Sequence, residues 1–184
     1  MNEELYNLIE RLANLLRHET RQTGLAMGLQ PVQQEALYYL SICNRYSDTL
    51  LAVTDYLGLT KGTVSQTLKV LETKGLIEKV KDSEDKRITH LKVTEAGRTF
   101  LTQTCPPQQF SEVACKLSAQ AQGTLQEALT EMLHQYQQRS GRNGFGVCRQ
   151  CKYNQSSQGR FVCGLTKESL SVQDTKQICR EFTQ

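Results

Sequence analysis

The stretch that most constrains this chain runs from Leu51 to Arg98: LAVTDYLGLTKGTVSQTLKVLETKGLIEKVKDSEDKRITHLKVTEAGR. It reads as two short amphipathic helices, a strand, a charged turn, a second strand and the start of another helix. Val53, Leu57, Val64, Leu68 and Leu71 fall at helical spacing and can share one small core. Between the helices, Gly58 permits the positive φ of a sharp turn, and Thr60 is placed to cap the helix that follows. With Val64, Leu68 and Leu71 inward at about 100° per residue, the outward face carries Gly62, Thr63, Ser65, Gln66, Lys69 and Thr73. That face is small and polar, and Lys61 opens the helix beside it. Such a surface can approach base edges closely enough to hydrogen-bond to them, as a recognition helix in a major groove must. Gln66 has the geometry for a bidentate adenine contact, and Lys69 suits guanine or phosphate.

Leu76–Val80 and Ile88–Val93 read as the strands of a hairpin, and Lys81–Arg87 is too polar to be anything but its exposed tip. A hairpin beside a recognition helix makes a wing, with Lys86 and Arg87 placed to meet phosphates or a minor groove. Thr94 is set to cap the next helix. The plainer alternative is a helix pair and hairpin that serve only for packing.

The run TVSQTLKVLETKGLIEKV, the Asp85-Lys86-Arg87 wing and the following LKVTEAGR together resemble the winged helix-turn-helix of the MarR (multiple antibiotic resistance regulator) family. The resemblance extends over roughly residues 1–138. It implies a mainly α fold with a small β-hairpin wing, dimerising through N- and C-terminal helices. It also implies that Asp85 steadies Arg87 in the family's Asp-x-Arg wing motif. The expected activity is sequence-specific binding of double-stranded DNA by a homodimeric transcriptional regulator, a repressor, on a pseudo-palindromic operator. A small-molecule effector is compatible with this class, and an enzyme is not expected.

Two apolar stripes are available for the dimer. Leu5, Leu8, Ile9, Leu12, Leu15 and Leu16 form one, on a helix expected to reach about Gly24. Phe110, Val113, Ala114, Leu117, Leu125, Leu129, Met132, Leu133 and Tyr136 form the other, on a helix expected to start afresh near Pro107. Either the stripes meet their copies in a second subunit or both cover one monomeric core. Between them and the helix pair, Pro31 suits the first turn of a helix over about 32–44, and Ser47 or Asp48 is placed to cap the first helix of the pair.

The net charge of +3 is mild, so any nucleic-acid site must be a local patch. With no long apolar run and an N-terminus reading Met-Asn-Glu-Glu, neither a signal peptide nor a transmembrane helix is expected, which places the protein in the cytoplasm.

Seven cysteines are many for such a chain. Cys43, Cys105 and Cys115 are scattered and read as small hydrophobes or oxidation sensors, and His18, His90 and His134 show no ligand pairing. The other four, Cys148, Cys151, Cys163 and Cys179, crowd into a tail over 147–184, set off by a Gly-rich linker over 139–146. Cys148 and Cys151 form a Cys-x2-Cys turn, and Cys163-Gly164 resembles half of another such knuckle. Four thiolates can close a tetrahedral structural zinc site. The same set could hold an iron–sulfur cluster, or remain as redox-active or free thiols, and as an iron–sulfur, redox or metal sensor it would control DNA binding. From Arg139 onward eight basic residues face three acids, a balance that would offset a negative metal–thiolate centre.

Overall fold

The computed structural model describes residues 2–26, 28–140, 144–157 and 159–183. The chain opens with α1 (Asn2–Ala26), α2 (Pro31–Ile42), α3 (Leu50–Leu57) and α4 (Lys61–Thr73). The hairpin β1 (Ile77–Lys81) and β2 (Thr89–Val93) follows, then α5 (Glu95–Thr104), α6 (Gln108–Ala114) and α7 (Ala119–Ser140). The tail adds β3 (Gly146–Val147), a 3-10 turn at Cys148–Gln150, β4 (Asn154–Ser157), β5 (Arg160–Cys163), β6 (Ser169–Leu170), α8 (Val172–Lys176) and β7 (Ile178–Cys179).

α2 lies at the centre. Ala36, Leu37 and Tyr39 are fully buried, and against them pack Ala52 and Val53 of α3, Val64, Leu68 and Leu71 of α4, Ile77 and Leu91 of the hairpin, and Phe100 and Leu101 of α5. Burial of these aliphatic side chains contributes about 1.5–3 kcal/mol each. It fixes the helix pair and the wing on one scaffold.

Caps set the boundaries. Thr60 accepts from the Thr63 amide and Thr94 from the Gly97 amide, as their positions suggest. At α3 the expected cap is corrected: Thr49 takes the role, accepting from the Ala52 amide. Ser47 and Asp48 are buried and committed elsewhere. Gly58 ends α3 at φ 64°, a left-handed conformation that lets α4 leave at once. β1 and β2 pair antiparallel from Ile77–Val93 to Lys81–Thr89.

The C-terminal stripe is divided rather than continuous. α6 stops at Ala114, and Ser118 opens α7 by accepting from the Ala121 amide. Four leucines of α1 (Leu5, Leu8, Leu12 and Leu15) are at least half exposed, and Leu125, Leu129, Met132, Leu133 and Tyr136 of α7 are exposed as well. The two stripes therefore do not cover one monomeric core.

The tail folds back onto this scaffold. Of the expected linker, Arg139 and Ser140 close α7, residues 141–143 lie outside the described residues, and Gly146 begins β3. Phe145 is buried, meeting Tyr39 and Tyr56 edge-on at centroid distances of 5.8 and 5.2 Å. A Cβ on Gly146 would stand 2.6 Å from the Phe182 ring, so only glycine lets that ring close down. Among the described residues no helix is long and apolar enough to cross a membrane.

Candidate nucleic-acid interface and sulfur cluster

α4 buries Val64, Thr67, Leu68 and Leu71 and leaves Lys61, Gly62, Thr63, Ser65, Gln66, Lys69 and Thr73 exposed. Two of the outward hydroxyls are already engaged, since Thr63 shares a 2.9 Å hydrogen bond with Thr60 and Thr73 donates to the Lys69 carbonyl. Packing does not require a glycine at 62, because a Cβ there would make only an ordinary contact with Thr60. The missing side chain leaves space above the helix.

On the wing, Arg87 lays its guanidinium along the Asp85 carboxylate, with Nε 3.0 and 3.2 Å from the two oxygens and a terminal nitrogen at 2.8 Å. The Arg87 amide also donates to Asp85. The guanidinium is 91% exposed, so it is oriented without being used up by the fold. Lys86 instead folds back and donates to the Asp82 carbonyl at 3.0 Å. Lys61, Ser65 and Arg87 line one open groove of about 580 Å³ between α3, α4 and the wing, and Gln66 and Lys69 stand outside it. Lys79 lines it too, held by Glu72 at 2.5 Å. Its place at the centre of β1, between Glu78 and Val80, gave no sequence signal.

The wing is locked to α3 by charges not apparent from residue order. Asp48, just before α3, accepts from Lys92 at 2.6 Å and meets His90 Nδ1 at 2.5 Å. His90 Nε2 reaches Asp82 at 3.0 Å. Burial alone would lower the proton affinity of His90, but its bonds to Asp48 and Asp82 outweigh that and raise its pKa. The Asp85 amide, His90 and the Glu84 amide hold Asp82 down at about 2. His90, with no ligand pairing, has a hydrogen-bonded role and bridges the base and the tip of the wing.

A second cavity, about 520 Å³, lies between α1, α2 and α5, lined by Arg17, His18, Arg21, Glu35, Tyr38 and Cys105 among others. Burial raises the proton affinity of Glu35 and Tyr38 there.

The four tail cysteines line a single small cavity of about 30 Å³, together with Asn44, Tyr46 and Asn154. Each sulfur faces hydrogen-bond donors. Asn154 Nδ2 approaches Cys148 Sγ at 3.6 Å and the Thr183 amide approaches Cys151 Sγ at 3.5 Å. Burial works against ionising Cys163, but the Thr166 and Leu165 amides and the Thr166 hydroxyl bring its pKa down overall. Burial raises that of Cys179 against the opposing pull of Asn44, the Glu181 amide and Ser47. Burial and then the three neighbouring sulfurs push Cys148 up to about 11, with Asn154 opposing. As it stands, no group of three or more cysteine, histidine, aspartate or glutamate side chains among the described residues is arranged to hold a metal ion. Cys179 sits in β7, three residues beyond the helix that Ser171 caps. The scattered thiols are plainer: Cys43 is buried, and its pKa is pushed up to about 12 chiefly by that burial.

These elements define a winged-helix protein, and a family profile for the winged helix DNA-binding domain matches residues 29–97. The fold is more particularly the MarR type. S. aureus MepR in its DNA-binding conformation superposes with a TM-score of 0.62 at 22% identity, covering 72% of this chain and 98% of that one. A MarR transcriptional regulator from Methanosarcina mazei gives 0.61 at 17% identity, covering 74% and 98%. A mutant of S. aureus MepR bound to an oligodeoxyribonucleotide gives 0.50 at 22% identity, covering 72% and 98%. No curated protein matches the chain at a significant level.

Proposed function

We propose that the protein is a sequence-specific DNA-binding transcriptional regulator that works as a homodimer and represses by occupying a pseudo-palindromic operator. The observation that carries this reading is the exposed, small, polar face of α4 beside a groove bordered by an oriented and unspent Arg87. The face would enter a major groove, with Gln66 and Lys69 at base edges, while Arg87 meets the flanking minor groove or its phosphates. The bound oligodeoxyribonucleotide on the MepR mutant of the same fold supports it.

The homodimer follows from the exposed leucines of α1 and α7, an apolar surface too extended to be left in water. A second copy offers the same stripes in return, which is how a two-fold interface closes. The cavity between α1, α2 and α5 lies where the dimerising and DNA-reading parts join, and it is the place for a small-molecule effector. The reading is of a binding protein rather than an enzyme.

Selection from random duplexes with the purified protein tests this. Recovered sequences should share two inverted half-sites about 10 bp apart centre to centre. Retention of DNA with no enriched sequence, or enrichment of a single unpaired site, would overturn the reading.

A further inference from the structure

We propose that Cys148, Cys151, Cys163 and Cys179 bind one thiophilic divalent metal ion, zinc by preference, beside the Asn44–Tyr46 segment that joins α2 to α3. This does not depend on the DNA-binding reading. Three separate pieces of chain bring the four sulfurs to one cavity: the Cys148–Cys151 turn, the end of β5 and β7. Nothing in a chain with free thiols requires that convergence, and four thiolates left alone would repel one another. A doubly charged cation removes that repulsion.

The surroundings are those of anionic sulfur. Two of the sulfurs accept hydrogen bonds from N–H groups, Cys148 from Asn154 Nδ2 at 3.6 Å and Cys151 from the Thr183 amide at 3.5 Å. Such donors orient metal-bound thiolates and share their charge. Asn44 supplies the independent sign. Its Nδ2 group is fully buried and has no hydrogen bond of ordinary length among the described residues, yet it lines the cavity and draws on the Cys179 sulfur. A buried amide donor left this way costs about 1–3 kcal/mol, and a thiolate at Cys179 would satisfy it.

Four thiolates closing on one ion with no open position are the ligand set of a structural zinc site, and the measurements below tell that ion from the iron–sulfur cluster the same sulfurs allow. Binding requires the sulfurs to rearrange from their present positions. β3, β7 and the 3-10 turn carry Cys148 and Cys179 as adjoining elements, and Cys163 rides on the end of a hairpin strand.

Elemental analysis of the full-length chain, purified under reducing conditions and loaded anaerobically with Zn²⁺, should give one zinc per chain. Loading with Co²⁺ should produce intense thiolate-to-cobalt absorption. Cys163→Ser should weaken zinc binding at least tenfold, and Cys115→Ser should leave it unchanged. Where a serine variant does not fold, the chemical shift of bound cadmium in the unaltered chain counts the sulfur ligands directly, and four are expected. The proposal is overturned by a chain that takes up no zinc, by a brown protein carrying inorganic sulfide, by fewer than four sulfur ligands, or by a Cys148–Cys151 disulfide that persists under reduction.

Discussion

Arg180, the residue after Cys179, turns Nε and a terminal nitrogen onto one carboxylate oxygen of Asp55 in α3, both at 2.7 Å. Its own amide donates to Ser47, which donates to Asn44, the residue that lines the sulfur cavity. The tail is thus tied to the first helix of the reading pair by a partly buried ion pair and a short chain of hydrogen bonds. Arg45, reaching Glu168 at 3.1 Å and the Ser169 carbonyl at 2.7 Å, adds an outer contact.

Arg180→Ala should therefore destabilise the protein by about 1–2 kcal/mol, since a charge-assisted pair of this kind is worth about 1.5–3 and both side chains keep some exposure. That corresponds to roughly 2–8 °C in Tm for a chain of this size. Asp55→Asn in the Arg180→Ala background should add little. Additive losses in a thermal-melt double-mutant cycle would show that the two residues act separately.

His90 gives the wing a pH dependence. It touches Asp48 and Asp82, and Lys92 shares Asp48 with it. Because its folded pKa is raised, the stability it contributes is complete below its ordinary value of 6.5 and is lost as pH rises through the higher folded value. Asp82 acts in the opposite sense: its contribution is present above its ordinary 3.8 and lost as pH falls toward about 2. Unfolding followed between pH 6 and 8 should show stability falling in the unaltered chain, and His90→Gln should flatten the slope. An unchanged slope in the variant would place the titrating group elsewhere.

The helix pair and wing were legible because their signals are local. Gly58, Thr60 and the spacing of Val64, Leu68 and Leu71 act within a few residues, and the structure puts them at a left-handed turn, a cap and a core face. The same holds for Thr94 and for Asp85 beside Arg87. What residue order could not reveal depends on distant partners. Asp48 looked like a cap until Lys92 and His90, more than forty residues on, claimed its carboxylate. Phe145 sat in a Gly-rich run that read as a linker, yet Tyr39 and Tyr56 offer it a buried berth. The Cys-x2-Cys turn drew attention to the tail, but nothing in it foretold that Asn44, a hundred residues earlier, would wall the same cavity.

Arg87 and Gln66 should fail differently. Removing the guanidinium with Arg87→Ala takes away one phosphate-range cation, so affinity should fall for all duplexes and the slope of log K against log salt should shrink by about 0.9. Asp85→Ala should produce a milder, uniform loss by freeing the arginine to wander. Gln66→Ala should cost about 1–3 kcal/mol only on sequences carrying the contacted base. Salt titrations on selected and scrambled duplexes separate these outcomes, and a uniform loss from Gln66→Ala would remove it from base readout.

The exposed stripes set the last test. Leu12 is 57% exposed and Leu129 45% exposed, and neither is needed by the buried core of the single chain. A glutamate at either position should leave thermal folding of the winged-helix scaffold nearly intact, because surface changes away from packed features stay within about 0.5 kcal/mol. In an interface the same glutamate buries an unpaired charge, and association should collapse. Sedimentation should show the unaltered chain as a dimer at micromolar concentration and Leu12→Glu or Leu129→Glu as monomers. DNA affinity should fall with the dimer, since each monomer would keep only one half-site. A variant that stays dimeric would move the interface off its helix, and an unaltered chain that sediments as a monomer would leave these leucines to some other partner.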